Sequence, residues 1–311
     1  MRSCRTFVES LGLPGGDLNE LPESGKRFGD GARYRVEIPS CEGPRCLEAL
    51  LATAERLDVR VHRASQGSGV FMLTDAELAE MAAMARAANV EISLFARPNA
   101  AWDTSGMARS PAGGSVAAAS RGQEQIVQGL ADARRAAAAG VRSVLIADLG
   151  LLDVFAAARR EGFLPADMQA KISVMLPVAN PATARALVAL GADTLNLTTD
   201  LTLAQIAAIR AVVDVPLDIY VEVPDNVGGF VRLHEIPEIV RVAAPVYLKF
   251  GLRNAPDVYP AGTHLEATTV ALTRERVRRA RLGLELLARE WPACETSELG
   301  AAGLALVHAG T

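Results

Sequence analysis

Residues 141–210 read VRSVLIADLG LLDVFAAARR EGFLPADMQA KISVMLPVAN PATARALVAL GADTLNLTTD LTLAQIAAIR. Short apolar runs at 143–148, 170–176 and 194–197 alternate here with alanine- and leucine-rich amphipathic stretches that begin near Leu151, Pro181 and Leu203. Runs of four to eight residues separated by helical patterns are the mark of βα units and a parallel sheet. The punctuation agrees. Asn180-Pro181 and Thr202 are helix-start signals, because a side-chain oxygen there can accept from the first free backbone amides. Gly191 stands between a helix and a strand, where a left-handed cap is expected.

Working outward, the same alternation predicts strands at 34–39, 59–64, 91–97, 217–223 and 246–251, eight in all. Further helices are expected near Arg45, Asp75, Gln123 and Leu233, and a last one over 273–290. Thr74-Asp75-Ala76-Glu77 carries a capping-box spacing, and Gly140 closes another helix. Eight units without a break in composition, in a chain of 311 residues, imply a single closed (β/α)8 barrel of the TIM type. A doubly wound open sheet is the alternative. Residues 1–32 read as an N-terminal extension, 33–292 as the barrel and 293–311 as a tail. The connection 99–122, rich in Ser, Gly and Ala, reads as a lid or binding loop.

Net charge is −4 and the pI near 5.7, so nucleic acid is not expected as a partner. No secretory signal and no membrane-length apolar run is visible, so a cytoplasmic setting is expected and no membrane partner. Cys4, Cys41, Cys46 and Cys294 are the four cysteines, and only Cys41 and Cys46 lie close together. One C-x4-C pair completes neither a zinc nor an iron–sulfur site. Only Lys26, Lys171 and Lys249 are lysines among 32 basic residues. Arginine supplies the generic surface cations, so a lysine kept inside an apolar strand is informative.

The middle of the chain resembles the U32 peptidase family, barrel proteins that include collagenase-like peptidases and oxygen-independent hydroxylases. The resemblance is carried by VLIADLGLL (144–152), by 173–200 with its Asn180-Pro181 helix start and GADTLNL strand, by LTLAQIAAIR (201–210) and by 73–98. It covers roughly residues 60–225. The family's histidine-glycine and cysteine-rich stretch after strand seven has no counterpart in Tyr220–Asn226, and no cysteine lies between Cys46 and Cys294. An iron–sulfur cluster is therefore not expected.

Barrel enzymes carry their chemistry at strand C-termini and in the following loops. Those positions nominate Glu37, Glu222 and Lys249 as catalytic groups. Glu37 lies opposite Val36 and Ile38 on its strand, where a carboxylate needs a cation, a metal or a raised pKa. Glu222 alternates with Val221 and Val223, and Lys249 interrupts an apolar strand that closes the barrel against strand one. Lys171, starting strand five, is expected to face the inert end. Arg63, Gln66, Arg97, Asn99, Asp148 and Asn196 are the substrate-binding candidates. The arginines suit a carboxylate or phosphate, and the glycines around Gln66 free backbone amides for a ligand. Asp148 also reads as a helix cap. The glycines after Glu222, Gly228 and Gly229, suggest an anion nest. No cofactor is predicted, although Glu37, Glu222 and a histidine leave a divalent metal open.

Three functions follow. The leading one is a small-molecule enzyme doing acid–base chemistry, of lyase or isomerase type, on an anionic metabolite. The family resemblance implies amide or peptide hydrolysis, for which Ser65 or Cys41 would be the nucleophile. The third is a non-catalytic barrel that pairs with a homologous catalytic one. Homo-oligomers and such hetero-oligomers are both open as assemblies.

Overall fold

The computed structural model describes residues 2–10, 20–97, 106–107, 110–111, 113 and 118–310. Its eight strands are β1 (Tyr34–Pro39), β2 (Arg63–Ser65), β3 (Glu91–Phe95), β4 (Ser143–Ile146), β5 (Gln169–Ile172), β6 (Thr194–Asn196), β7 (Leu217–Glu222) and β8 (Val246–Phe250). All are parallel, each pairs with the next, and β8 pairs with β1, Glu37 standing opposite Lys249. The barrel is closed. Around it run α2 (Pro44–Arg56), α3 (Asp75–Ala88), α4 (Gly122–Ala138), α5 (Leu149–Arg160), α6 (Pro181–Ala189), α7 (Leu203–Val212), α8 (Ile236–Ala243) and α9 (Glu266–Glu290), with α1 (Arg2–Ser10) ahead of the barrel.

Local chemistry sets these boundaries. Thr74 and Thr202 each form a full capping box, with Glu77 and Gln205. Asn180 accepts from the Thr183 amide, and Pro181 opens the helix. Gly140 follows α4 at φ +92°, and a Cβ there would lie 2.2 Å from the His308 carbonyl oxygen, so only glycine fits. β3, β4 and β5 end two to four residues before the expected bounds, β5 at Ile172, and two starts also depart. β2 begins at Arg63 rather than residue 59, because the Val36 amide bonds to the His62 imidazole Nδ1 (3.0 Å) and not to a strand carbonyl. α9 starts seven residues before the expected Thr273.

The outward side chains of the sheet, among them Val36, Ile38, Ile92, Leu94, Val144, Ile146, Ile172, Leu195, Ile219 and Leu248, pack under the helices as the main apolar core. Most inward side chains are polar, the paired Phe95 and Leu145 being an apolar exception apart from that core. Barrels of this class usually fill their interior with layers of Val, Ile and Leu; here the layers hold Arg, Glu, Lys, Asp and Ser.

The segments that the sequence sets apart at either end meet beneath the strand N-termini. Arg35 donates to Ser297 Oγ (2.8 Å) and the Ala302 carbonyl (2.7 Å), with Phe28 under its guanidinium at 4.0 Å. The Ala305 amide donates to Glu91 Oε2 at 3.2 Å. This floor closes one end of the barrel. Among the described residues no helix is long and apolar enough to cross a membrane.

Candidate functional site

Glu37, on β1, is the centre of the interior. Lys171 from β5 donates to its Oε1, Lys249 from β8 lies 3.1 Å from the same oxygen, and Ser65 Oγ donates to it at 2.6 Å. Arg63 reaches Glu37 Oε2 at 3.3 Å, Glu91 Oε1 at 2.6 Å and Asp218 at 3.2 Å, its guanidinium 3.7 Å from the Tyr247 ring centroid. Lys171 also lies 3.4 Å from Asp218 and donates to Ser65 Oγ at 2.9 Å. Asn196, its amide oxygen turned to Lys249 Nζ (2.8 Å), donates to the Asp218 carbonyl at 3.2 Å. The Lys249 amine stands 4.4 Å from the Tyr220 ring centroid. Three cations thus face three carboxylates, and none of the six is more than 2% exposed.

Burial and charge act against each other here. Burial alone would raise Glu37, but Lys171, Lys249 and Arg63 outweigh it and hold the carboxyl well below the usual range. Asp218 goes up, because its burial dominates over Lys171 and Arg63. Lys171 falls to about 8, through burial first and the neighbouring Lys249 as a lesser cause, with Glu37 and Asp218 pulling the other way. A pair at this spacing attracts by about 5 kcal/mol gross at an effective dielectric near 20. Desolvating two ions costs a similar amount, so the network adds little net stability. Its consequence is chemical: an amine whose pKa is brought down to about 8 beside a hydroxyl.

The sequence candidates fall into separate places. Glu37, Lys249, Asn196 and Arg63 meet in the interior. Arg63 was expected at the mouth as an anion contact, but β2 starts with it, so it lies deeper, with its Nε and Nη1 held by three carboxylates. Gln66 closes its own loop, bonding the Gly69 amide (3.0 Å) and carbonyl (2.9 Å). The Gly67 and Ser68 amides expected to meet a ligand are occupied by Glu42, at 2.8 and 2.9 Å. Arg97 donates to the Gly67 carbonyl (2.9 Å) and lies over Phe95 and Tyr259. Asp148 caps α5 through the Leu151 amide and holds the Ser120 amide as well. Asn99 and most of the expected lid 99–122 lie outside the described residues.

Glu222 does not join Lys249. Between Tyr220 and Glu222 the pairing of β7 with β8 slips, so Tyr220 pairs with Lys249 but Glu222 with Phe250. Phe250 packs on α9, and the bulge turns Glu222 to the same outer side. There its Oε1 accepts from the Arg253 amide (3.0 Å), while Arg279 stands 3.9 Å from Oε2. Burial raises its pKa. Gly228 and Gly229 form no open nest; their amides close the hairpin onto Asp225 and Pro224. The metal set of Glu37, Glu222 and a histidine is not assembled, and no metal-holding group of His, Cys, Asp or Glu occurs among the described residues.

Lys171, Asp218 and Glu91 were missed as site residues. Lys171 is the third residue of β5 and points inward, contrary to its expected position at the inert end. Its signal was present: each of the three is a charge alternating with apolar neighbours on a buried strand.

The model of Peptidase family U32 matches residues 118–222. That span runs from before α4 to the end of β7 and leaves the similar-looking 73–98 outside. No curated protein matches the sequence. Among solved structures, the U32 peptidase Mk0906 is 18% identical, with 67% of this chain and 74% of that one covered and a TM-score of 0.39. Tryptophan synthase from M. tuberculosis is 15% identical over 88% of this chain and 100% of that one, TM-score 0.47. A truncated 3-deoxy-D-arabino-heptulosonate 7-phosphate synthase from Thermotoga maritima is 13% identical over 86% and 93%, TM-score 0.46. The chain is thus a closed (β/α)8 barrel whose middle strands and helices, residues 118–222, are similar to Peptidase family U32.

Proposed function

We propose that the chain is a small-molecule enzyme that moves protons on an anionic metabolite at the polar half of its barrel. The observation that carries this reading is the buried Lys171 amine in contact with Glu37 and Ser65, where burial brings its pKa down to about 8. A base works best when its pKa lies near the working pH. In this role Lys171 takes the proton and Lys249, positioned by Glu37 and Asn196, neutralises the charge that develops on the substrate. Acid–base chemistry beside a carboxylate, of lyase or isomerase type, fits that pair. The test is solvent exchange. In heavy water the protein should place deuterium next to a carboxylate or carbonyl in some member of a panel of 2-oxo and hydroxy acids. Lys171→Met should abolish the exchange. No exchange anywhere in the panel counts against the reading.

A second reading rests on the Ser65 Oγ to Lys171 Nζ contact of 2.9 Å. A neutral lysine can activate a serine for acyl transfer, as in serine–lysine hydrolases, which is the chemistry that the U32 likeness suggests. A fluorophosphonate probe separates the two: a covalent adduct on Ser65 favours acyl transfer, and an unlabelled Ser65 favours proton transfer alone.

A further inference from the structure

The outward turn of Glu222 builds a second polar site, on the opposite side of β7 from Lys249. A cavity of about 400 Å³ opens at the strand C-termini between the β7 hairpin, the loop after β8 and α9. Glu222, Asp225, Val231, Arg253, Asn254 and Arg279 line it. Glu222 is 1% exposed, and its Oε2 is buried with no hydrogen-bond partner in the protein. An unbonded buried carboxylate oxygen is costly to keep unless something is brought to it.

Two ion pairs stand side by side in this cavity, and both are too long to be hydrogen bonds. Arg279 Nε is 3.9 Å from Glu222 Oε2, and Arg253 Nε is 3.6 Å from Asp225 Oδ1. The other acid nearby, Glu275, is already held by Arg278 and Arg279 at 3.0 and 2.8 Å. Arg279 Nε is thus engaged by Glu275, and Asp225 Oδ2 accepts from the Asn254 amide, so two guanidinium groups and two carboxylates face the cavity with only their remaining atoms, Glu222 Oε2 among them, left to meet a ligand. A simple anion would meet the arginines but also both carboxylates. A simple cation would meet the reverse conflict. A ligand carrying both charges on adjacent atoms resolves it, and the volume suits a small molecule. We propose that this rim pocket binds the α-amino-carboxylate group of a free amino acid, its ammonium on Glu222 and Asp225 and its carboxylate on Arg253 and Arg279.

Burial keeps the Glu222 carboxyl up, and an arriving ammonium would relieve that pressure. The pocket needs no step of the reaction proposed for the barrel interior, so binding is read without any turnover. Calorimetric titration of the full chain with the proteinogenic amino acids, one at a time, tests it. Acetate, methylamine and inorganic phosphate, each carrying charge of one sign only, serve as controls. At least one amino acid should bind saturably at one site, while its N-acetyl form and the amine lacking its carboxylate do not. Glu222→Gln and Arg253→Gln should each weaken binding roughly tenfold or more. Arg253 is half exposed, so its variant folds even if the buried Glu222 substitution disturbs the rim. The proposal is overturned if no amino acid saturates, or if binding survives both substitutions. It is equally overturned if phosphate binds as tightly as any amino acid and Glu222→Gln tightens it, which would make this a plain anion site.

Discussion

His62 illustrates how a single residue ties sequence to stability. Its Nδ1 accepts from the Val36 amide and its Nε2 faces the Ser297 carbonyl at 2.8 Å, so the ring is neutral with its proton on Nε2. Burial lowers its pKa from 6.5 to about 4. A depressed folded-state value means that the neutral ring's contribution is complete above pH 6.5. It is lost as pH falls from 6.5 toward 4, because only the unfolded chain protonates readily in that window. Between pH 7 and pH 5 the loss amounts to about 2 kcal/mol. His62→Gln offers an acceptor and a donor to the same partners without titrating. Urea unfolding at both pH values should show the wild type losing about 2 kcal/mol relative to the variant across this window, whatever the other titrating groups contribute to both. An equal drop in both would assign the acid sensitivity elsewhere.

At the scale of elements, the two capping boxes act on separate helices, α3 and α7, and their effects should add. Thr74→Ala and Thr202→Ala should each cost about 1 kcal/mol, and the double variant about 2 kcal/mol, by chemical denaturation. A cost near zero for either would mean that its helix start is held by packing alone. Element starts of this kind were legible, because a Thr three residues before Glu or Gln has one local meaning. Strand faces were legible in part. The alternation of Glu37 with Val36 and Ile38 was readable, and so was the pairing of Lys249 with strand one. Lys171 was misplaced because the strand ends at Ile172 rather than residue 176, so the lysine stands next to its C-terminal end and not at its start. Glu222 was misassigned for a different reason: a bulge is a property of two paired strands, and the residues of one strand do not carry it. Arg63 was drawn too near the mouth because the imidazole of His62 replaces part of the β2 ladder, a tertiary event.

At the scale of the whole molecule, the interior network exists only because the barrel closes. Glu37 comes from β1, Arg63 from β2, Glu91 from β3, Lys171 from β5, Asp218 from β7 and Lys249 from β8. These groups are far apart in the chain and lie within hydrogen-bond or ion-pair reach across the lumen. The floor built from residues on both sides of the barrel sequence keeps water from that lumen at one end. Opposed burial and attraction then bring the Lys171 amine down to about 8. The scarcity of lysine makes this directly observable. With lysine labelled at Cε, the 311-residue chain yields signals from Lys26, Lys171 and Lys249 alone. Following those three by NMR against pH, with Lys171→Met to assign the signal, tests the account at its centre. It predicts that the Lys171 resonance titrates near pH 8. Titration of that signal at or above pH 10, as for an exposed lysine, would contradict it.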